Sequence, residues 1–260
     1  MIKLFVFNFI LLIIITLVVF LCKKFIKTKR AKNITLIIMA LTTILCHYSS
    51  LVYHYFLDNS AMLFLKHNPN LLLPIYPCNV VMWCCLIFAF TKKESRFSKL
   101  LADYIFWFGI ISTLVGMFAN VDFINNPTFA NYDITKSIVA HATMLLNVLV
   151  LPAFGFIKIK LETNLLHMVI AIAAMFVIGM YCNLVFEVLV SSNMAYQVNS
   201  MFILHSPFEG LAFLTYPNIA IMALAMYFII FGICEMFAYK KGTRWYNRFV
   251  NKIKTKHSSK

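Results

Sequence analysis

Long apolar runs, interrupted by short basic or polar segments, set the pattern of this chain. Seven can be drawn: Leu4–Cys22, Ile34–Leu57, Leu71–Thr91, Leu100–Ala119, Ser137–Ile157, Leu165–Val190 and Pro217–Tyr239. Each has about 20 residues, enough for a helix to cross an apolar layer about 30 Å thick. The runs are continuous rather than alternating, which excludes the strands of a membrane barrel. The pattern predicts an all-α polytopic membrane protein. A bundle of seven transmembrane helices fills residues 1–239, and a basic tail follows over 240–260. The first run is expected to stay as a span: it is too long for a signal peptide, no A-x-A site follows it, and a basic cluster stops it.

Composition sharpens this picture. The 260-residue chain is 62% hydrophobic, where soluble domains are about 45–50% apolar. A net charge of +14 would point to nucleic acid in a soluble protein. Here the charge flanks apolar runs, so it reads as topology and lipid-headgroup contact, with membrane phospholipids and not nucleic acid as the partners. Alternate flanks carry twenty Lys and Arg on one side and three (Lys3, Lys66, Lys136) on the other. The positive-inside rule then puts the N-terminus outside and the C-terminus in the cytoplasm. The tail, GTRWYNRFVNKIKTKHSSK, reads either as an amphipathic helix on the inner leaflet or as a disordered basic segment. The seven cysteines form no CxxC pair, so neither a disulfide framework nor a zinc ribbon is indicated. Heavy use of Lys, Asn, Ile and Phe, with only seven glycines, suggests an AT-rich bacterial genome and hence a bacterial plasma membrane.

The stretch Leu71–Ala89, LLLPIYPCNVVMWCCLIFA, carries the most chemistry. Proline suits the first turn of a helix, where its missing N–H is not needed. Pro77 is therefore expected to be the first helical residue and Cys78 the next. A thiol there meets unpaired N–H groups and the positive end of the helix dipole, which favours thiolate. The competing reading is a buried small hydrophobe, as expected for Cys84 and Cys85.

Polar groups inside spans are costly and so are functional candidates. His47, Ser50 and His54 share one face of the second span at i, i+3 and i+7. Cys78 and Asn79 open the third, and Asn120 and Asp122 end the fourth. His141 lies in the first turns of the fifth with Asn147 below. Asn183 and Glu187 lie near the outer end of the sixth, and His205 and Glu209 in the last outer loop. The inner halves read as poorer, with Asp103 and Glu235 near cytoplasmic ends. The polar groups are thus expected to converge on the outer leaflet, with His47, His54, Cys78, Asn79, His141 and Glu187 lining one pocket. Cys78 and His141 fall at similar depth, roughly 6–10 Å below the outer span ends at about 1.5 Å per residue. A Cys/His pair becomes available if the third and fifth spans pack together. Each residue also has a plainer reading. His47, His54 and His205 would serve as inter-helix hydrogen-bonding groups, Glu187 would snorkel to the surface, and Pro152 would kink the fifth span.

Other chemistries fit less well. There is no HxxxH pair and no histidine in the seventh span, so no metal is expected, although His47, His54, His141 and Glu187 keep a zinc site open. No Walker A, GxGxxG or GxSxG sequence occurs, and no cofactor is called for.

Two segments resemble a known family. Leu73–Trp83, LPIYPCNVVMW, is similar to the segment opening a membrane helix in YwaF-like bacterial integral membrane proteins and to the proline-cysteine segment of their vertebrate relatives, the transmembrane protein 164 family. Ile138–Pro152, IVAHATMLLNVLVLP, resembles the later helix that carries that family's histidine. Order, separation and seven-span layout agree over most of the chain. The resemblance implies a cysteine-dependent phospholipid acyltransferase. Cys78 would be nucleophile and acyl carrier, and His141 its general base. Asn79, or N–H groups at the start of the third span, would stabilise the oxyanion. His47, His54, Asn183, Glu187 and His205 would complete the substrate site. The competing class is a non-enzymatic transporter or binding protein for a small solute or lipid. Transport requires a polar path reaching the cytoplasmic face. A lipid enzyme requires a cavity closed toward the inside.

Overall fold

The computed structural model describes residues 2–57, 59–119, 123–124, 128–206 and 210–258. Asn120, Asp122 and Glu209 lie outside the described residues. The described structure is all-helical, and six of its helices are long and apolar enough to cross a membrane. These are α1 (Ile2–Phe25), α2 (Lys29–Phe56), α5 (Arg96–Phe118), α6 (Tyr132–Ala153), α7 (Leu161–Leu189) and α9 (Tyr216–Ala238). Short helices α3 (Ala61–His67) and α8 (Ser192–Val198) lie in connections, and α10 (Trp245–Ser258) forms the tail.

The run Leu71–Thr91 is not one long helix. Its helix α4, Pro77–Phe90, has 14 residues, about 21 Å at 1.5 Å per residue. Pro77 is the first helical residue, as expected. A short 3-10 turn, Pro69–Leu71, and irregular backbone precede it, because Pro74 and Pro77 cannot extend a hydrogen-bonded helix toward the N-terminus. Side-chain caps fix other boundaries. Thr28 Oγ1 accepts from Ala31 N at 3.1 Å, Ser95 Oγ from Ser98 N at 3.0 Å, and Asn131 Oδ1 from Ile134 N at 3.2 Å. Pro152 sits in the last turn of α6 and ends the helix rather than kinking its middle. Gly155, at φ +81°, then turns the chain in the left-handed region that glycine tolerates.

Helices α5 and α6 form the centre, flanked by α1, α2, α4 and α7. Helix α1 is apolar around its circumference and largely exposed, as a lipid-facing helix should be. Side-chain amides join helices where the apolar layer supplies no hydrophobic drive for association. Asn8 Nδ2 donates to Met117 O at 2.7 Å, and Asn147 Nδ2 donates to Thr43 Oγ1 at 2.9 Å and to Met39 O at 3.1 Å. Side chains of α4 and α6 close on the α5 backbone at Gly109. A Cβ there would lie 2.6 Å from Val148 Cγ2 and 3.3 Å from Val81 Cγ1.

Contacts sort the connections into two ends. At the basic end, Lys29 meets Glu94 at 3.7 Å, Lys32 Nζ donates to Phe154 O at 2.9 Å, and Tyr239 OH donates to Ile159 O at 2.8 Å. At the opposite end, Tyr132 OH donates to Ser49 Oγ at 2.7 Å, and Met201 N donates to Ile75 O at 2.9 Å. The basic half is richer in polar groups than expected. Buried Asp103 pairs with His167 Nδ1 at 2.6 Å, joining α5 to α7. Buried Glu235 accepts from Arg248 Nη2 at 2.8 Å and Trp245 N at 2.9 Å, which anchors the start of α10. The Asp103–His167 pair is not readable from the sequence, because the two residues lie 64 positions apart and meet only once α5 and α7 pack.

Gly109→Ala should lower stability by about 1–3 kcal/mol, the usual cost of overpacking, seen as a reduced melting temperature in detergent. Adding Val148→Ala should recover part of the loss by removing the methyl that collides.

Candidate active site

The site begins at the entrance to α4. Pro77 contributes no N–H, and the next donors are organised by Asn79. Its Oδ1 accepts from Tyr76 N at 3.3 Å, while Asn79 N returns to Tyr76 O at 3.0 Å. This reciprocal closure caps the helix in the manner of a capping box. Cys78 is the second residue of α4, so its thiol lies in the first turn, where the backbone N–H groups have no partner within the helix. N–H groups at that position favour negative charge on a nearby sulfur.

A second segment holds this entrance. Ile75 O accepts from Ser200 Oγ at 2.9 Å and Met201 N at 2.9 Å. Ser200 is in turn gripped by Asn183, whose Oδ1 accepts from Ser200 N at 2.7 Å. Asn199, Met201 and Phe202 lie at φ 43°, 55° and 57°, a conformation that costs energy for side-chain-bearing residues. Gly179 makes room for it: a Cβ there would come within 2.8 Å of Met201 Cβ.

His141 sits one helical turn beyond Ser137 on α6. Its Nδ1 lies 2.8 Å from Ser137 O. A carbonyl only accepts, so Nδ1 carries the proton and Nε2 of the neutral ring carries the lone pair. The ring packs into a hollow on α5 at Gly116, where a Cβ would lie 2.1 Å from Cδ2 and 2.2 Å from Nε2.

Cys78, Asn79, His47 and His141 line one cavity of about 380 Å³, together with Gly116 and Lys136. The residues Asn68, Pro69 and Asn70 form part of its wall, which places it at the end opposite the basic one. Below it the bundle is filled by buried Val81, Cys85, Phe88, Ile105, Val148 and Phe154.

The remaining candidates are placed elsewhere. His54 Nε2 meets Asp133 Oδ2 at 2.9 Å and its Nδ1 meets Ser60 Oγ at 3.2 Å. Ser50 Oγ donates to the other oxygen of the same carboxylate at 2.6 Å. His54 thus ties α2 to the start of α6 and does not line the cavity. Asn183 acts through Ser200, as described. Glu187 is exposed near the end of α7 and also lies off the cavity, where a carboxylate keeps its hydration. His205 lies between two carbonyls, with Nδ1 2.9 Å from Ser206 O and Nε2 2.9 Å from Tyr196 O, and its neutral ring donates to one of them.

Sequence reasoning did not select Lys136, Ser137 or Gly116. Lys136 had a usable signal: it is one of three cations on the poorly charged side, in the first turns of a helix where the dipole disfavours a cation. Ser137 precedes His141 by four residues and so shares its helix face. Gly116 carried no comparable signal, because its value depends on which ring it faces.

Among the described residues, no group of three His, Cys, Asp or Glu is arranged to hold a metal ion. No curated protein and no solved structure matches the chain. The TMEM164 family model matches residues 2–237, from the start of α1 into the last turn of α9. The match takes in both segments that carry the cysteine and the histidine, and the chain belongs to the TMEM164 family.

Proposed function

We propose that this protein is a membrane-embedded Cys/His acyltransferase, or acyl hydrolase, that acts on phospholipid at the outer leaflet of a bacterial plasma membrane, as a YwaF-like member of its family. The observation that carries the reading is a single cavity lined by both Cys78 and His141, with the thiol in the first turn of α4 and the imidazole fixed by Ser137. In the proposed reaction, His141 Nε2 takes the thiol proton and Cys78 Sγ attacks an ester carbonyl of the donor lipid. Asn79 Nδ2, or N–H groups at the start of α4, stabilise the oxyanion. Collapse breaks the ester C–O bond, and the leaving alkoxide takes the proton from His141, giving a lysolipid and an acyl thioester on Cys78. An acceptor hydroxyl then gives its proton to His141 and attacks the thioester. Collapse transfers the acyl group and returns the proton to Cys78. Water in the acceptor's place gives hydrolysis.

The packed apolar side chains beneath the cavity favour lipid chemistry over a solute path through the bundle. The same reading has the chain crossing seven times, N-terminus outside and C-terminus cytoplasmic. Helix α4 is short, but Lys29–Glu94 contact puts its C-terminal connection beside the α1–α2 connection, while Ile75 lies at the opposite end. Its irregular lead-in has its backbone groups met by protein, the condition for non-helical chain at membrane depth.

Three outcomes test this. An impermeant thiol reagent applied from outside should label a cysteine placed in 59–70 and miss one placed in 23–32; the reverse pattern would overturn the orientation. An electrophilic lipid probe should label Cys78 in preference to Cys84 and Cys85, with His141→Ala slowing the reaction about 10²–10⁴-fold, the usual loss for a general base. Equal labelling of the three, or indifference to His141, would remove the assignment. Gly116→Ala should also slow labelling, since its methyl displaces the imidazole while every reacting group remains.

A further inference from the structure

One group in the cavity has no part in the proposed acyl transfer. His47 is 8% exposed, lines the cavity, and has its Nε2 buried with no hydrogen-bond partner. A buried polar nitrogen left in that condition is unfavourable unless a guest meets it. Lys136 lies directly beside it on the same wall, with Nζ donating to His47 O at 3.3 Å. Lys136 and His47 line one space together with Cys78 and His141. No Asp or Glu occurs among the described residues of the lining. Positive and donor groups gathered in a concave, partly dry site favour an anionic guest.

The position narrows the guest. The cavity lies at the end opposite the basic one, beneath residues 68–70. In the proposed topology that end faces the outer leaflet, whose headgroup level carries the phosphate of a glycerophospholipid, with the ester carbonyls slightly deeper. A cavity of about 380 Å³ is in the usual range for a small-molecule site and takes a headgroup and glycerol but not two acyl chains. Lysine is a common point-charge binder of phosphate, and an imidazole N–H adds a directed donor.

We propose that Lys136 and His47 form a phosphate-ester subsite that holds a glycerophospholipid headgroup while its ester lies at Cys78. The proposal deepens the phospholipid reading of the same cavity, but it concerns binding rather than acyl transfer. It can therefore be tested in the full-length chain carrying Cys78→Ala, which forms no thioester. The probes are lysophosphatidylglycerol and a monoacylglycerol with the same acyl chain, bound to protein in detergent. The phosphate lipid should bind about tenfold to a hundredfold tighter, the range for a charge-assisted contact. Lys136→Met should erase that preference and leave monoacylglycerol binding unchanged, and Lys136→Arg should keep most of it. If Lys136→Met does not fold, His47→Gln carries the same expectation of reduced preference. An unchanged preference in the folded variants would overturn the subsite. Competition by millimolar inorganic phosphate as effective as that of the lysolipid would overturn the lipid assignment in favour of a free anion. No preference for the phosphate lipid in the Cys78→Ala chain, alongside intact Cys78 labelling in the native chain, would remove the subsite and leave the acyl-transfer reading standing.

Discussion

Every backbone polar group within an apolar layer must find a partner inside the protein. That constraint governs this fold most visibly at Pro74 and Pro77, where the chain enters the layer without a regular helix. The carbonyl of Ile75 is left outside any helical ladder, and the segment around Ser200 meets it with a hydroxyl and an N–H. Asn183 fixes Ser200, and Gly179 admits the strained turn at Met201. The position of Cys78 thus depends on residues more than 100 positions downstream. The entrance is a braced structure, and the cysteine is its third residue beyond Ile75.

The second determinant is the close approach of α5 to α6. Gly109 lets the backbones meet over Val148, and Gly116, two turns along the same face, receives the His141 ring. Above that contact the lining is polar; below it, Val81, Ile105, Phe88 and Val148 are packed without exposure. One helix pair therefore orients the histidine and also closes the cavity toward the basic end. The geometry of the candidate site and the apolar packing beneath it, among the described residues, arise from the same helix pair.

Much of this was legible in the chain. Seven apolar runs of membrane length predict seven spans; six hold helices long enough to cross, the third holds the shorter α4, and the proline rule locates its start at Pro77. Depth arithmetic put Cys78 and His141 on a common level, and the structure places both on one cavity. What could not be read was pairing. Periodicity states which face of a helix is polar but not which neighbour it meets. His54 shares a face with His47 and so reads as a site residue, whereas it bonds Asp133. Asp103 reads as an acid near a cytoplasmic span end, whereas it pairs with His167. Charge counting treated Lys136 as a topological marker, although its helix turns it toward the cavity. Glycine positions were the least legible, because Gly116 and Gly179 act only through the side chains placed against them.

In the proposed reaction Cys78 accepts an acyl group from phospholipid. The most direct measurement of that step is the mass of the Cys78-containing peptide after the purified chain is incubated with phospholipid and no acceptor. The account predicts an acyl adduct on Cys78 that neutral hydroxylamine removes, absent in Cys78→Ala and much reduced in His141→Ala. An unmodified Cys78 in protein that has bound the lipid, or the same adduct spread equally over Cys84 and Cys85, would contradict it.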